Sequence, residues 1–392
     1  MKYTEDQYFA AAKLERWYTK FKHQVIEISG IEGTGVFEAV KFFLDKMEFD
    51  PREIMYLSFD QKQVLEMATK RYHCYYINGI IYKYSRIVNF DSIPILNENS
   101  NEIEFEWKKQ VRKKIDPRYK IMIVFDASLM NESMLEDLMS FGVPIILMTD
   151  PMLIPAPDSY TFLRKPNILI RQLNPDLMKS PITYFANKAL VGDKINYGNY
   201  DTVSIVPRKQ LNLYNLKSAD MVITLSEETS DNINKTYREK VMKLKANNGI
   251  GERMIVMNNM YAHKITNHDE KRIKVFLTKG TVGYITKCNK HAAGTKYVPI
   301  EFKTEFYFEP FADLNMDRHY LNGINIPSRQ EIPDDIIKMR YAYSLPVSLT
   351  RVNHWDKVTL IVDQNPEHDI SMQCRLLYNA ITRAHHSITI IT

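Results

Sequence analysis

The chain has 392 residues, 45% of them hydrophobic and 25% charged, with 52 Lys+Arg against 47 Asp+Glu and a net charge of +5. That length accommodates two or three domains with their own cores, and the ordinary composition excludes a disordered or fibrous chain. The mild basic excess permits nucleic-acid binding without requiring it. Cys74, Cys288 and Cys374 are far apart and lack CxxC spacing, which argues against a disulfide framework or a zinc site and suits a reducing compartment. The start of the chain lacks the apolar core of a signal peptide, and no apolar run approaches the ~18 residues of a membrane span. The expected location is therefore cytoplasmic, with no membrane partner. Abundant Lys, Asn, Ile and Tyr point to an AT-rich genome, and so to a bacterial or phage-infected host cytosol.

In chain order, the pattern predicts a helix from about Glu5 to Lys22 and an alternating strand over Val25–Ile28. Gly30-Ile31-Glu32-Gly33-Thr34-Gly35-Val36-Phe37 comes next, followed by a helix over Phe37–Lys46. Strand, glycine loop and helix keep the frame of the phosphate-binding pattern G-x-x-x-x-G-K-[ST]. Val36 stands where that pattern has the lysine for the β- and γ-phosphates, and Phe37 where it has the hydroxyl for Mg²⁺. A second β-α unit is predicted from the strand Ile54–Ser58 and a helix reaching Lys70.

Ser92–Leu96 and Glu102–Glu106 read as two strands around a polar turn, a β-hairpin inserted within 87–118. A basic run follows: Lys108, Lys109, Arg112, Lys113, Lys114, Arg118 and Lys120. The apolar runs Ile121–Phe125 and Pro144–Met148 end in Asp126 and Thr149-Asp150, which suits a parallel sheet with its ligand crevice at the carboxyl edge. Proline-rich 150–166 reads as a linker. A second α/β region contains the strand Met221–Thr224 and a helix over Glu228–Lys245. Residues 250–340 are strand-like, with turn signals at Lys279-Gly280 and Asn322-Gly323. The chain closes with a strand at Val358–Val362, a helix through Ala384 and a strand at Ser387–Ile391.

These motifs, in this order, resemble the RecD/Dda-type branch of superfamily 1 (1B) DNA helicases. Leu377-Tyr378-Asn379-Ala380-Ile381-Thr382-Arg383-Ala384 resembles the family's LYxAxTRA motif, whose arginine reaches the γ-phosphate. Thr4-Glu5-Asp6-Gln7 resembles its Q motif, whose glutamine reads adenine. Leu225-Ser226-Glu227-Glu228-Thr229 through Asn234 and Arg238 resembles the segment opening the second motor domain, and Lys279-Gly280-Thr281-Val282-Gly283 the NGxxG turn of an SH3-like insert. The resemblance implies an α/β fold: two RecA-like P-loop-type parallel-sheet domains, with a β-hairpin pin in the first and an SH3-like β insertion in the second. The boundaries it implies are 1–165 for the first domain, 166–250 with 341–392 for the second, and 251–340 for the insert.

The departures fall on the phosphate chemistry. Phe125-Asp126 aligns with the family's Asp-Glu pair, and Leu153 replaces the γ-phosphate-sensing glutamine of the segment Thr149–Ala156. Ser348–Val352 aligns with HKSQG, and Asp60 puts an acid where DNA phosphate would approach. Without loop lysine, hydroxyl and acid pair, phosphoryl transfer loses its electrostatic neutralisation. No catalytic residue, metal or cofactor is expected, beyond weak ATP/Mg binding on loop N–H groups. The vestigial nucleotide site comprises Gln7, Gly30, Gly33, Thr34, Gly35, Val36, Phe37, Asp150 and Arg383, with Asp126 and Arg383 the remnants of the catalytic set. Arg383 reads as a phosphate contact or, preferably, as a cleft arginine paired with an acid. Gln7 reads as an adenine contact or, preferably, as a helix cap.

Nucleic-acid contacts are expected from Lys108, Lys109, Arg112, Lys113, Lys114, Lys235 and Arg238, with Tyr76 stacking a base. Solvated helix faces are the plainer reading of those cations. Tyr75, Tyr76, Tyr82 and Tyr84 read alternatively as core edges. The expected function is an inactive helicase-like scaffold in replication or recombination, binding single-stranded or forked DNA, a replication or recombination protein, or both. The alternatives are a divergent active 5′–3′ helicase and a pure protein-interaction subunit.

Overall fold

The computed structural model describes residues 2–20, 22–87, 106–112, 114–154, 166–243, 249–265, 272–288, 297–305, 309–317, 336–351, 353–363 and 369–392. Helix α1 (Glu5–Lys20) leads into β1 (Val25–Ser29), the glycine loop and α2 (Val36–Lys46). After these come β2 (Ile54–Ser58), α3 (Gln61–Thr69), β3 (Cys74–Tyr76), α4 (Ile77–Ile81), β4 (Tyr82–Ile87), β5 (Glu106–Val111), β6 (Ile121–Val124), α5 (Glu132–Met139), β7 (Ile145–Thr149) and β8 (Ile168–Leu169). Strands β3-β2-β6-β7-β1-β8 form a six-stranded sheet in that order, with every neighbouring pair parallel. Both faces are covered. Ile26, Ile28, Tyr56 and Ile123 pack under α1 and α2, whereas Leu57, Met122, Val124 and Leu147 pack on the opposite side. Burial on both faces is why β6 and β7 read as nearly unbroken apolar runs.

The second half continues with α6 (Pro181–Leu190), β9 (Gly198–Tyr200), β10 (Val203–Val206), α7 (Leu213–Ser218), β11 (Met221–Thr224) and α8 (Glu227–Thr236). A β-rich stretch follows: β12 (Arg253–Val256), β13 (Met260–Ile265), β14 (Arg272–Leu277), β15 (Val282–Cys288), β16 (Tyr297–Thr304), β17 (Phe311–Asp317), β18 (Ile336–Ile337) and β19 (Met339–Tyr341). The chain ends with β20 (Ser344–Pro346), β21 (Trp355–Ile361), α9 (Ile370–Ile381) and β22 (Ala384–Ile391). A second six-stranded sheet has the order β20-β11-β21-β22-β10-β9, parallel except for the β9–β10 edge. The β-rich stretch forms an eight-stranded, mostly antiparallel sheet around Phe302, Phe311 and Met316. The molecule is thus mixed α/β with two parallel-sheet units and one β-rich unit.

Several expected boundaries move. The hairpin pairs β4 with β5, from Tyr82↔Val111 to Ile87↔Glu106. Its strands meet the expected pair Ser92–Leu96 and Glu102–Glu106 only at Glu106; the rest of that pair falls outside the described residues, as do Asn322-Gly323 and Lys113. Lys108 and Lys109 therefore belong to a strand rather than to a run after the hairpin. Helix α8 ends at Thr236 and passes into a π-helical turn, Tyr237–Val241, short of the expected Lys245. Helix α9 stops at Ile381, and Ala384 already starts β22.

Candidate functional site

Because the first sheet is parallel, the carboxyl ends of β1, β6 and β7 open on one edge, with the glycine loop, Asp126 and Asp150 there. Two glycines are required by close approach. A Cβ on Gly30 would lie 2.3 Å from Thr34 Oγ1, and one on Gly35, at φ +72°, would lie 2.1 Å from Gln7 Nε2. Gln7 is wholly buried and fully engaged. Thr4 N donates to its Oε1 at 2.8 Å while Gln7 N donates to Thr4 Oγ1 at 3.3 Å, a reciprocal capping box at the start of α1. Its Nε2 donates to the carbonyls of Thr34 and Gly35, both at 3.1 Å. The capping role is present, and the same amide holds the loop from below, leaving no donor for adenine.

The motif positions that would carry the metal are occupied by aromatic packing. The Phe37 ring lies 5.4 Å from Phe125 and 6.3 Å from Tyr56, and Tyr56 stacks on Phe125 at 6.0 Å. Val36 packs on the same core. Asp126, at φ +47°, makes no side-chain cap bond to the turn it precedes, so it is a crevice acid rather than a cap.

The opposite wall is α9, and its polar residues bind the first unit directly. Glu32 N donates to the Tyr378 hydroxyl at 2.7 Å, and that hydroxyl donates to the Asp150 carboxylate. Ile154 N donates to Asn379 Oδ1 at 2.9 Å, and Asn379 Nδ2 to the Met152 carbonyl at 2.9 Å. Arg375 donates to the carbonyls of Met152 and Leu153, at 2.8 and 2.6 Å. From α6, Asn187 donates to the Glu32 carbonyl at 2.9 Å and Thr183 Oγ1 to its carboxylate at 3.2 Å. With Thr34 N bonded to the Ile31 carbonyl, two loop N–H groups are already spent within the protein.

Arg383 is 4% exposed. Its guanidinium donates to the Arg351 carbonyl at 3.1 Å and to Thr382 Oγ1 at 3.3 Å, while Nε has no partner. The expected acid pairing is thus replaced by neutral acceptors: no ion pair involving it is found among the described residues. Burial pushes the Asp150 carboxyl up to about 6, opposed by its bonds from Tyr378 and Met152 N. Burial also raises Glu38.

Between the walls lies a cavity of about 330 Å³. Glu32, Glu38, Asp126, Asp150 and His354 line it, with Arg383 the one guanidinium among the described lining residues. A polyanion entering would meet four carboxylates and one fixed cation, and charges of like sign at close range disfavour binding. Sequence reading missed Glu32 and Glu38 because neither occupies a conspicuous motif position.

Of the expected nucleic-acid contacts, Lys114, Arg112 and Lys235 are exposed, and Arg112 Nε donates to the Gly79 carbonyl at 3.2 Å. Arg238 is a correction. It forms a bidentate pair with the wholly buried Glu252, at 2.7 Å, and lies 4.0 Å from the Tyr341 ring centroid. Its charge is spent inside the fold. Tyr76 is half-buried and its hydroxyl accepts from Asn78 at 3.2 Å. The Tyr75 hydroxyl shares a 2.8 Å bond with Tyr119, and Tyr82 is buried. Asp60 caps α3 through Lys62 N and sits 2.8 Å from His354 Nδ1, so both of its carboxylate oxygens are engaged within the protein.

No protein-family model matches the sequence, and no curated protein matches it. Among solved structures, the chain is similar to the Pif1 helicase from Candida albicans at 10% identity, covering 100% of this chain and 94% of that one, with a TM-score of 0.39. It is also similar to Pif1 in a structure of forked-dsDNA unwinding by two coordinating Pif1 helicases (10% identity, 100% and 92% coverage, TM-score 0.42). Bacteroides Pif1 bound to ssDNA is a third (10%, 100% and 92%, TM-score 0.38). At these scores the likeness transfers no residue role. No helix among the described residues is long and apolar enough to cross a membrane.

Proposed function

We propose that this chain is a catalytically inactive, superfamily 1 helicase-like protein, a scaffold that binds DNA, a protein partner or both during replication or recombination. The observation that carries the reading is the Phe37–Phe125 contact at 5.4 Å. In the resembled family those two positions supply the hydroxyl and the carboxylate for Mg²⁺; here they are a packed aromatic pair. The acid-lined cavity and the missing loop lysine support the same reading, since neither offers the neutralisation that phosphoryl transfer needs.

DNA affinity would come from the exposed cations Arg112, Lys114 and Lys235 and from the β4–β5 hairpin that carries Lys108 and Lys109. A divergent active helicase remains the rival, favoured by one observation: Arg383 is buried at the cavity with an unpartnered Nε. The test is an ATPase assay with single-stranded DNA, beside a DNA-binding titration at several salt concentrations. The reading predicts no DNA-stimulated turnover and salt-sensitive DNA binding. Turnover abolished by Asp126→Asn or Arg383→Ala would establish the rival. Absence of turnover together with absence of salt-sensitive binding would move the role to protein interaction alone.

A further inference from the structure

The pairing of β21 with β22 slips at its start. Trp355 faces Ala384 and Lys357 faces Ser387, so Asp356 alone opposes both His385 and His386. Regular strands send consecutive side chains to opposite faces, and a bulge of this kind re-aims them. The two imidazoles accordingly sit together, with ring centroids 4.6 Å apart. His386 Nδ1 is 2.9 Å from Asp356 Oδ1, and His385 Nδ1 is 3.6 Å from the same oxygen. From α3 in the other parallel-sheet unit, Glu66 Oε1 comes within 3.4 Å of His385 Nδ1.

We propose that Asp356, His385, His386 and Glu66 bind a borderline divalent cation, best fitted by Zn²⁺, across the junction of the two parallel-sheet units. A tetrahedral zinc with bonds of about 2.0–2.2 Å separates its ligand atoms by roughly 3.4 Å. The ligand atoms of Asp356, His385 and His386 all lie within 4.8 Å of one another, and Glu66, which contacts His385, completes the set by turning toward the ion. Two imidazoles with carboxylates select zinc-like ions over Mg²⁺ or Ca²⁺, which prefer all-oxygen shells. Lys62 Nζ, 2.6 Å from Asp356 and 3.9 Å from Glu66, occupies the place of a cation between the acids. Metal binding exchanges that ammonium for the ion and requires both imidazoles neutral. With His385 47% and His386 68% exposed, the site is open to solvent, so the ion exchanges readily. The cysteines play no part, and ligands drawn from three separate segments leave no spacing for a sequence search to find.

The proposal is independent of nucleotide chemistry in the cleft. The test uses the full chain, stripped with EDTA and titrated with Zn²⁺ against a chelating indicator dye. The expected result is one ion per chain at micromolar affinity or tighter near neutral pH. His385→Ala and His386→Ala each weaken binding at least about tenfold, since each removes a direct ligand. Asp356→Asn, which preserves shape, gives a comparable loss and guards against an alanine variant that does not fold. Because Glu66 links the two units, Zn²⁺ raises the thermal midpoint of the parent, and Glu66→Gln reduces that rise. Failure to bind at about 100 µM Zn²⁺, or undiminished affinity in the His385→Ala/His386→Ala double variant, overturns the proposal.

Discussion

The two walls of the cleft present opposite chemistry. On the first-sheet wall, Val36, Phe37 and Phe125 present apolar groups where the resembled family places its cation and metal ligands, and they pack into the core. On the facing wall, α9 carries Tyr378 and Asn379, with Arg383 in the turn just after it, and the first two hydrogen-bond the glycine loop and the Asp150–Ile154 turn. One wall is apolar and packed into its own core, and the other is polar and hydrogen-bonded across the cleft.

The largest effect expected from breaking this contrast is on the apolar wall. Phe125 is 7% exposed, and Phe125→Ala should lower unfolding free energy by about 3–5 kcal/mol in a denaturant titration. A loss under about 1 kcal/mol would mean that the aromatic fill is incidental. Next comes the polar wall. Tyr378→Phe removes a buried hydroxyl that serves both Glu32 N and Asp150, at a cost of about 1–3 kcal/mol, with DNA affinity unchanged.

A pH-dependent effect sits beneath both walls. Glu27 is 2% exposed on β1, accepts from Thr149 Oγ1 at 2.8 Å, and has an Oε2 without a partner. Burial pushes its carboxyl up to about 6 from the usual 4.5. Its raised value favours the protonated folded state, so its contribution is full below the ordinary value and lost as pH rises through about 6. Glu27→Gln should accordingly gain about 2 kcal/mol over the parent near pH 8 and little near pH 4, by melts at the two pH values. The smallest effect belongs to the surface. Lys114→Ala should leave stability within about 0.5 kcal/mol and, where the residue meets DNA phosphate, lower the salt slope of binding by about 1.

Local pattern reached part of this arrangement. The strand, glycine loop and α2 were legible because glycine spacing and apolar periodicity are properties of neighbours in sequence, and the same holds for β2, β6, β7 and β11. What failed is tertiary. Helix α8 gives way to a π-helical turn where Tyr237 stacks on Tyr343 at 4.7 Å and Arg238 pairs with Glu252, contacts that no helical repeat announces. Arg238 looked like a surface cation for the same reason. The strands Tyr82–Ile87 and Glu106–Val111 were not anticipated as a pair because their register is set by partners about 20 to 30 positions apart, while the expected strands Ser92–Leu96 and Glu102–Glu106 fall almost wholly outside the described residues. The bond between Glu32 and Tyr378 spans 346 positions, and its existence is invisible until both sheets are assembled. Arg383 was expected to find a carboxylate; burial gave it carbonyl and hydroxyl acceptors instead.

The central claim is that the cleft between Phe37 and Arg383 no longer handles a triphosphate. Its most direct test is the affinity of the full chain for a fluorescent ATP analogue with Mg²⁺ at low ionic strength. The account predicts no saturable binding into the millimolar range, with Arg383→Ala indistinguishable from the parent. Saturable micromolar binding that is lost in Arg383→Ala would contradict it.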